Sequence, residues 1–151
     1  MKPVYFVVLP LMLAFIVLTI VWAGAGIPAY VDPASLAVVL SFPILMSFAT
    51  HSLREIGRSF RLAFGAGPAG RPELERALLY FRGVGRHLLY GGGFGLVTGL
   101  VALLSSFEEP RQIGRGLAVA VITTQYAILL NALLAWPCQA AIRRRLLDVG
   151  D

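Results

Sequence analysis

Uncharged apolar runs alternate with short charged blocks along this chain. Four of the runs, at about residues 3–22, 33–50, 88–107 and 116–137, contain no Asp, Glu, Lys or Arg. Crossing the hydrocarbon core of a bilayer as a helix takes roughly 20 apolar residues. The pattern therefore predicts an all-α, polytopic membrane protein with four transmembrane helices and short cytoplasmic helical extensions, forming one membrane domain over residues 1–151. The first run continues uncharged to Val31 with no A-x-A cleavage pattern after a short apolar core, so it reads as a retained helix rather than a signal peptide. Composition agrees: 58% of residues are hydrophobic and 14% charged, against about a quarter charged in soluble domains.

Charge placement then orients the chain. With four spans, both termini and the segment 51–87 share one side, and that side holds Lys2, Arg54, Arg58, Arg61, Arg71, Arg76, Arg82, Arg86, Arg143, Arg144 and Arg145. These are 11 of the 13 basic residues, the other two being Arg111 and Arg115. The positive-inside rule makes this side cytoplasmic. Anchoring and orientation account for the arginines, so the high pI does not indicate nucleic acid.

The segment 51–87 is too short for a domain with its own core and reads as juxtamembrane extension, a docking surface for another protein being the alternative. "HSLREIGRSFRLAF" carries arginines at i, i+4 and i+7, an interfacial pattern. "RPELERALLYFRGVGRHLLY" opens with Pro72, Glu73 and Glu75, which suits a helix first turn, and leads into the third span. "GAGPAG" between them is a turn.

The spans differ in character. The first is bulky on all sides and suits a lipid-facing helix, and Pro10 and Pro43 are expected to kink the first and second. The third repeats Gly91, Gly95 and Gly99, with Thr98, Ala102 and Ser106 extending that side. The fourth answers with Gly116, Ala120, Thr124, Ala127 and Asn131. Small stripes let helices associate closely in lipid. They fit packing on each other, on a second copy or on another protein's helix.

Candidate chemistry is sparse. His51 and His87 sit at membrane edges without sequence-near carboxylate or cysteine partners, and Cys138 is a lone cysteine. Asp32, Glu108 and Glu109 fall in outer loops, where caps and solvated turns are expected. "FRGVG" and "YGGGFG" lack the preceding strand and the lysine of a phosphate-binding loop. No enzyme activity, metal or cofactor is expected.

Two segments resemble a known family. "YVDPASLAVVLSFPILMSFATHSLREIGRSFRLAF" is similar to the second span and following cytoplasmic helix of MotA-type stator subunits. "GGGFGLVTGLVALLSSFEEPRQIGRGLAVAVITTQYAILLNALLAWP" is similar to the third and fourth spans, through Gly99-Leu100, Glu109-Pro110, Ile113-Gly114, Ala118-Val119-Ala120, Thr123-Thr124, Tyr126 and Pro137. The chain is thus identified as a member of the MotA/TolQ/ExbB proton-channel superfamily. The resemblance implies a homopentameric ring in the bacterial inner membrane around a dimer of a single-span MotB-, ExbD- or TolR-like partner that contributes the titrating aspartate. It also implies that Thr124 is the pore-facing threonine and Pro137 the proline near the cytoplasmic end of the fourth span. The large cytoplasmic domain of MotA is absent, Leu88 and Leu89 stand where many members have a proline, Leu96 stands at the third-span threonine, and Ser41-Phe42 replace a Gly-Gly pair.

On this reading the ion path is lined by Thr124, Asn131, Ala120, Ala127 and Thr98, while Gly91, Gly95, Gly99, Thr123 and Tyr126 pack helices. Gln125 has no assigned role. Neutral hydroxyls fit a ring that would otherwise hold repeated charges at mid-bilayer. A non-conducting four-helix scaffold and a small secondary transporter are the competing readings, the latter lacking an ionisable residue in any span.

Overall fold

A computed structural model describes residues 4–22, 24, 26–65, 67–105 and 110–149, with side chains from residue 8 and, after the last gap, from residue 113. Lys2, Ser106, Glu108 and Glu109, and the side chain of Arg111, lie outside the described residues. The described chain is helical, with no strand: α1 (Val4–Trp22), α2 (Pro33–Thr50), α3 (Leu53–Ala63), α4 (Arg71–Leu104), α5 (Pro110–Leu130) and α6 (Trp136–Asp148). A short 3-10 turn, Ile27–Tyr30, precedes α2, and a π turn, Asn131–Ala135, joins α5 to α6.

Three stretches are long and apolar enough to cross a membrane: Ile27–Thr50, Arg71–Leu104 and Ile113–Asp148. The first helix is shorter, with Val8–Trp22 as its apolar part. At 1.5 Å per residue the 34 residues of α4 extend about 51 Å, well beyond a core of about 30 Å. The third span and the amphipathic segment before it are therefore one continuous helix.

The starts of α2 and α3 are marked in the sequence. Asp32 caps α2, its carboxylate accepting from the Ser35 N–H at 3.1 Å, with Pro33 in the first turn. Ser52 and Glu55 form a reciprocal capping box on α3, the Ser52 N–H donating to Glu55 Oε2 at 2.8 Å. Between α3 and α4, Gly65 and Gly67 take φ of 83° and 89°, a left-handed conformation that glycine adopts without strain.

Two kinds of packing hold the molecule. In one half, α3, the start of α4 and α6 bury Leu62, Leu74, Phe81 and Ile142, with Phe60 and Phe81 edge to face at 5.1 Å. Arg145 donates to Leu62 O at 2.8 Å and Gly67 O at 2.7 Å, and Arg58 pairs with Glu73 at 3.0 Å. Segment 51–87 is thus more than an extension: it shares a side-chain core with α6, each fully buried Leu, Ile or Phe contributing about 1.5–3 kcal/mol.

The other half packs backbone on backbone. The α4 and α5 helices form an antiparallel hairpin, and α2 lies against both through its buried i, i+4 row Ser35, Val39, Pro43 and Ser47. A methyl group added to Gly99 would come within 2.6 Å of the Ala120 nitrogen, and one on Gly116 within 2.7 Å of the Leu103 nitrogen. Added methyls would overlap Ala127 at Gly92 and Thr123 at Gly95, and at Gly91 would lie 2.9 Å from Val39 O on α2. The third-span glycines therefore serve two neighbours within the chain, Gly92, Gly95 and Gly99 receiving α5 and Gly91 receiving α2. The helices run through Pro10 and Pro43.

Gly99→Ala should lower the unfolding free energy by about 1–3 kcal/mol, because the obstructing atoms are backbone. Gly93 has open space around it, so Gly93→Ala should leave stability unchanged or slightly raised. Denaturant titration in detergent checks both, and equal loss for the two variants would contradict the assigned seam.

Candidate ion path face

The α4–α5 seam fixes which side chains of the fourth span remain open. Ala120 and Ala127 are 0% and 2% exposed, and Thr123 is 0% exposed. Gly116, Ala120, Thr123 and Ala127 make up the buried stripe, each opposite a small residue or backbone of α4. Ala120 and Ala127, expected along an ion path, are thus covered by their own chain. The seam also moves Thr123 onto the small stripe and Thr124 to its edge.

Thr123 belongs to a polar network that ties α5 to the start of α2. Its hydroxyl bonds to Val119 O and lies 3.1 Å from Ser35 Oγ, which in turn donates to the Asp32 carboxylate. Tyr126 completes the connection: its hydroxyl donates to Tyr30 O at 2.7 Å and accepts the Asp32 N–H at 2.9 Å. Asp32 thus combines its cap with a tertiary role. The sequence carries one local sign of this, the D-x-x-S spacing of a helix start, but no sign that a tyrosine 94 residues away meets it.

Thr124 is half-buried, and its hydroxyl donates to Ala120 O at 2.9 Å. It stands four residues before Ile128 and seven before Asn131, which places all three on one helix face. Ile128 and Asn131 line a groove together with Leu89 of α4 and with Val8, Leu9 and Met12 of α1, and Leu96 is one further heptad step along from Leu89. Thr124 and Leu96 therefore occupy the same side of the hairpin, away from α2. Leu96 is exposed, at 36%.

Thr98 lies elsewhere. It follows Gly91 by seven residues and Phe94 by four, and these two meet Val39 and Phe42 of α2. The α2 side of α5 is marked by Thr123 and Tyr126, about 100° and 160° around the helix from Thr124 in the same sense at 3.6 residues per turn. Thr98 and Thr124, expected on one path, consequently flank opposite sides of the hairpin. Thr98 is exposed and its hydroxyl returns to Phe94 O at 2.9 Å.

Asn131 begins the π turn and is half-buried. A Cβ on Gly85 would be 2.9 Å from Asn131 Oδ1 and 3.3 Å from Gln139 Nε2, so both amides lie against the α4 backbone. Gln139 donates there to Phe81 O at 3.1 Å. The oxygen of Asn131 is thus directed into the seam, and sequence periodicity misses this because the contact needs the glycine at position 85. Pro137 is buried in the first turn of α6, so the helix continues past it to Asp148. A proline removes one N–H and crowds the preceding turn, and the wider π turn accommodates both. Gln125 is half-buried.

Among the described residues no carboxylate, histidine or cysteine cluster could hold a metal. Between Pro33 and Thr50, between Leu88 and Leu104, and between Gly116 and Cys138, the polar side chains are hydroxyls and amides without a charge.

Tyr126→Phe removes two hydrogen bonds with little change in shape. It should cost about 1–2 kcal/mol of stability at roughly 1 kcal/mol per intramembrane bond. Gln125→Leu, at a position with no such bond, should not. A Tyr126→Phe chain with an unchanged SDS-denaturation midpoint would show that the Asp32 link carries no energy.

The comparisons bear on this arrangement directly. The family model described as the MotA/TolQ/ExbB proton channel family matches residues 51–149, which include α3, the whole α4–α5 hairpin, the π turn and α6. The chain is also 35% identical over 68 residues to the "Chemotaxis protein PomA" of Vibrio alginolyticus. That match covers 39% of this chain and 27% of the relative, so the chain corresponds to about a quarter of that protein's length. The family is one of membrane channels of the stator type and not of enzymes. Since its model spans the hairpin and well over half of the sequence, the chain belongs to the MotA/TolQ/ExbB proton channel family.

Proposed function

We propose that this chain is the ring-forming subunit of a proton-motive-force-driven motor or channel complex in the bacterial inner membrane. It conducts protons together with a single-span MotB-, ExbD- or TolR-like partner, whose membrane aspartate is the titrating group. In this reading α1 is a fourth span and both termini are cytoplasmic with the arginine-rich 51–87 segment. Five copies surround a partner dimer, with the open side of each α4–α5 hairpin turned to the axis.

One observation carries the proposal. On the side of the hairpin away from α2, Thr124 is half-buried and Leu96 exposed, both uncharged and outside the α4–α5 seam. A fixed charge there would be repeated around the ring at mid-bilayer, at a cost of several kcal/mol per ion. A hydroxyl can order water or accept and donate hydrogen bonds while neutral. The chemistry of protonation then resides on the partner. Ala120, Ala127, Thr123 and the third-span glycines act by holding the hairpin shut, and Tyr126 by holding α2 on it.

The scaffold reading has its own support, since the Thr124 hydroxyl is already satisfied by Ala120 O. Proton flux in reconstituted vesicles separates the two. The chain alone should be silent, and co-reconstitution with a single-span partner bearing a membrane aspartate should produce flux. Thr124→Ala should reduce that flux by about tenfold, the equivalent of roughly 1.4 kcal/mol of lost hydrogen bonding, while Thr98→Ala should not. Flux untouched by Thr124→Ala but abolished by Leu130→Ala would place the path on another face. No flux with any such partner would favour the scaffold.

A further inference from the structure

Gln125 is a polar side chain of the fourth span that its own chain leaves unused. Thr123, Thr124 and Tyr126 place their hydroxyls on Val119 O, Ala120 O and Tyr30 O. The Gln125 amide has no hydrogen-bond partner among the described residues. It stands near the middle of the uncharged stretch between Gly116 and Cys138, where an unbonded amide facing hydrocarbon is costly. At 100° per residue, Gln125 points about 140–160° away from the seam residues Ala120, Thr123 and Ala127, out of the end of the hairpin opposite α4.

Gly93 is its counterpart on α4. It lies about 100–160° around the helix from Gly92, Gly95 and Gly99, and a Cβ there would meet no atom within 4 Å. Glycine weakens a helix interior relative to alanine, and no contact within the chain requires one here. Gly92 faces Ala127 and Gly95 faces Thr123, so Gly93 and Gln125 stand at about the same level of the antiparallel pair. That register carries on at either side: Tyr90 is level with Ile128 and Val97 with Val121, and all four are exposed.

The chain also shows how a glutamine uses such a glycine. At Gly85 an added Cβ would lie 3.3 Å from Gln139 Nε2, and that nitrogen donates to Phe81 O, four residues before the glycine, at 3.1 Å. Four residues before Gly93 is Leu89.

We propose that Gln125 of one copy donates to Leu89 O of the next across that copy's Gly93, Tyr90 packing on Ile128 and Val97 on Val121 beside it. The inference rests on the ring described above. Turning the Thr124 and Leu96 side to the axis and α2 outward leaves the two ends of each hairpin to meet neighbouring copies. Rotation about the axis keeps every residue at its own height, so the levels match.

In a Cys138→Ala background, full-length Val97→Cys/Val121→Cys chains oxidised in membranes should give a ladder of disulfide-linked oligomers, and either cysteine alone should not. The two positions lie at opposite ends of one hairpin, so this bond forms only between copies. Gln125→Leu and Gly93→Leu should each weaken association by about fivefold to tenfold in subunit-exchange measurements, and together by no more than either alone. Neither should shift the unfolding midpoint of the dissociated chain. Oligomers that lack the disulfide, or that tolerate both leucine variants, would overturn this contact and leave the ring standing. A chain that native mass spectrometry finds monomeric would overturn both. A disulfide from Val121→Cys to a cysteine in a partner's span, and not to Val97→Cys, would put the partner on this face and overturn the contact as well.

Discussion

The contact on which the rest depends is the approach of the α4 and α5 backbones along Gly92, Gly95 and Gly99 opposite Ala127, Thr123 and Ala120. Within lipid, burying apolar side chains gains nothing over leaving them in the acyl chains, so helices associate through close van der Waals contact and hydrogen bonds. Glycine serves that purpose where it would weaken a helix in water. Outside the apolar stretch the logic reverts to that of a soluble protein, and α3, α4 and α6 bury Leu62, Leu74, Phe81 and Ile142. One helix, α4, takes part in both regimes and couples them rigidly.

The seam also decides what is available for function. Once Ala120, Thr123 and Ala127 are enclosed and α2 is fastened by Tyr126 and Ser35, one side of the hairpin lies outside both contacts. Thr124 is the hydroxyl of the fourth span that remains there. The ion path proposed on that side would be neutral, which suits a family described as proton channels.

The helices were largely legible from hydropathy, since uncharged runs of bilayer length have few other outcomes, and the caps at Asp32 and Ser52 follow from residue type. The family was legible from the ordered landmarks between Gly91 and Pro137. Assignment of faces was less legible. Thr98, Thr123 and Thr124 are alike in chemistry, and a small-residue stripe has an edge that periodicity draws only to within one residue. The position of Gly85 and Gly92 opposite Asn131 and Ala127 decides the matter, and that pairing is tertiary. The shared core of α3 and α6 was hidden for a similar reason: the segments are about 80 residues apart, and neither alone has enough apolar surface to form a core.

Cysteine accessibility tests the central claim most directly. In a Cys138→Ala background, which removes the lone native thiol, single cysteines at Leu96, Thr124, Ala120 and Ala127 would be exposed to a membrane-impermeant thiol reagent in the complex assembled with its partner. The account predicts rapid labelling at Leu96→Cys and Thr124→Cys and protection at Ala120→Cys and Ala127→Cys. Labelling at Ala120 and Ala127 with protection at Thr124 would contradict it.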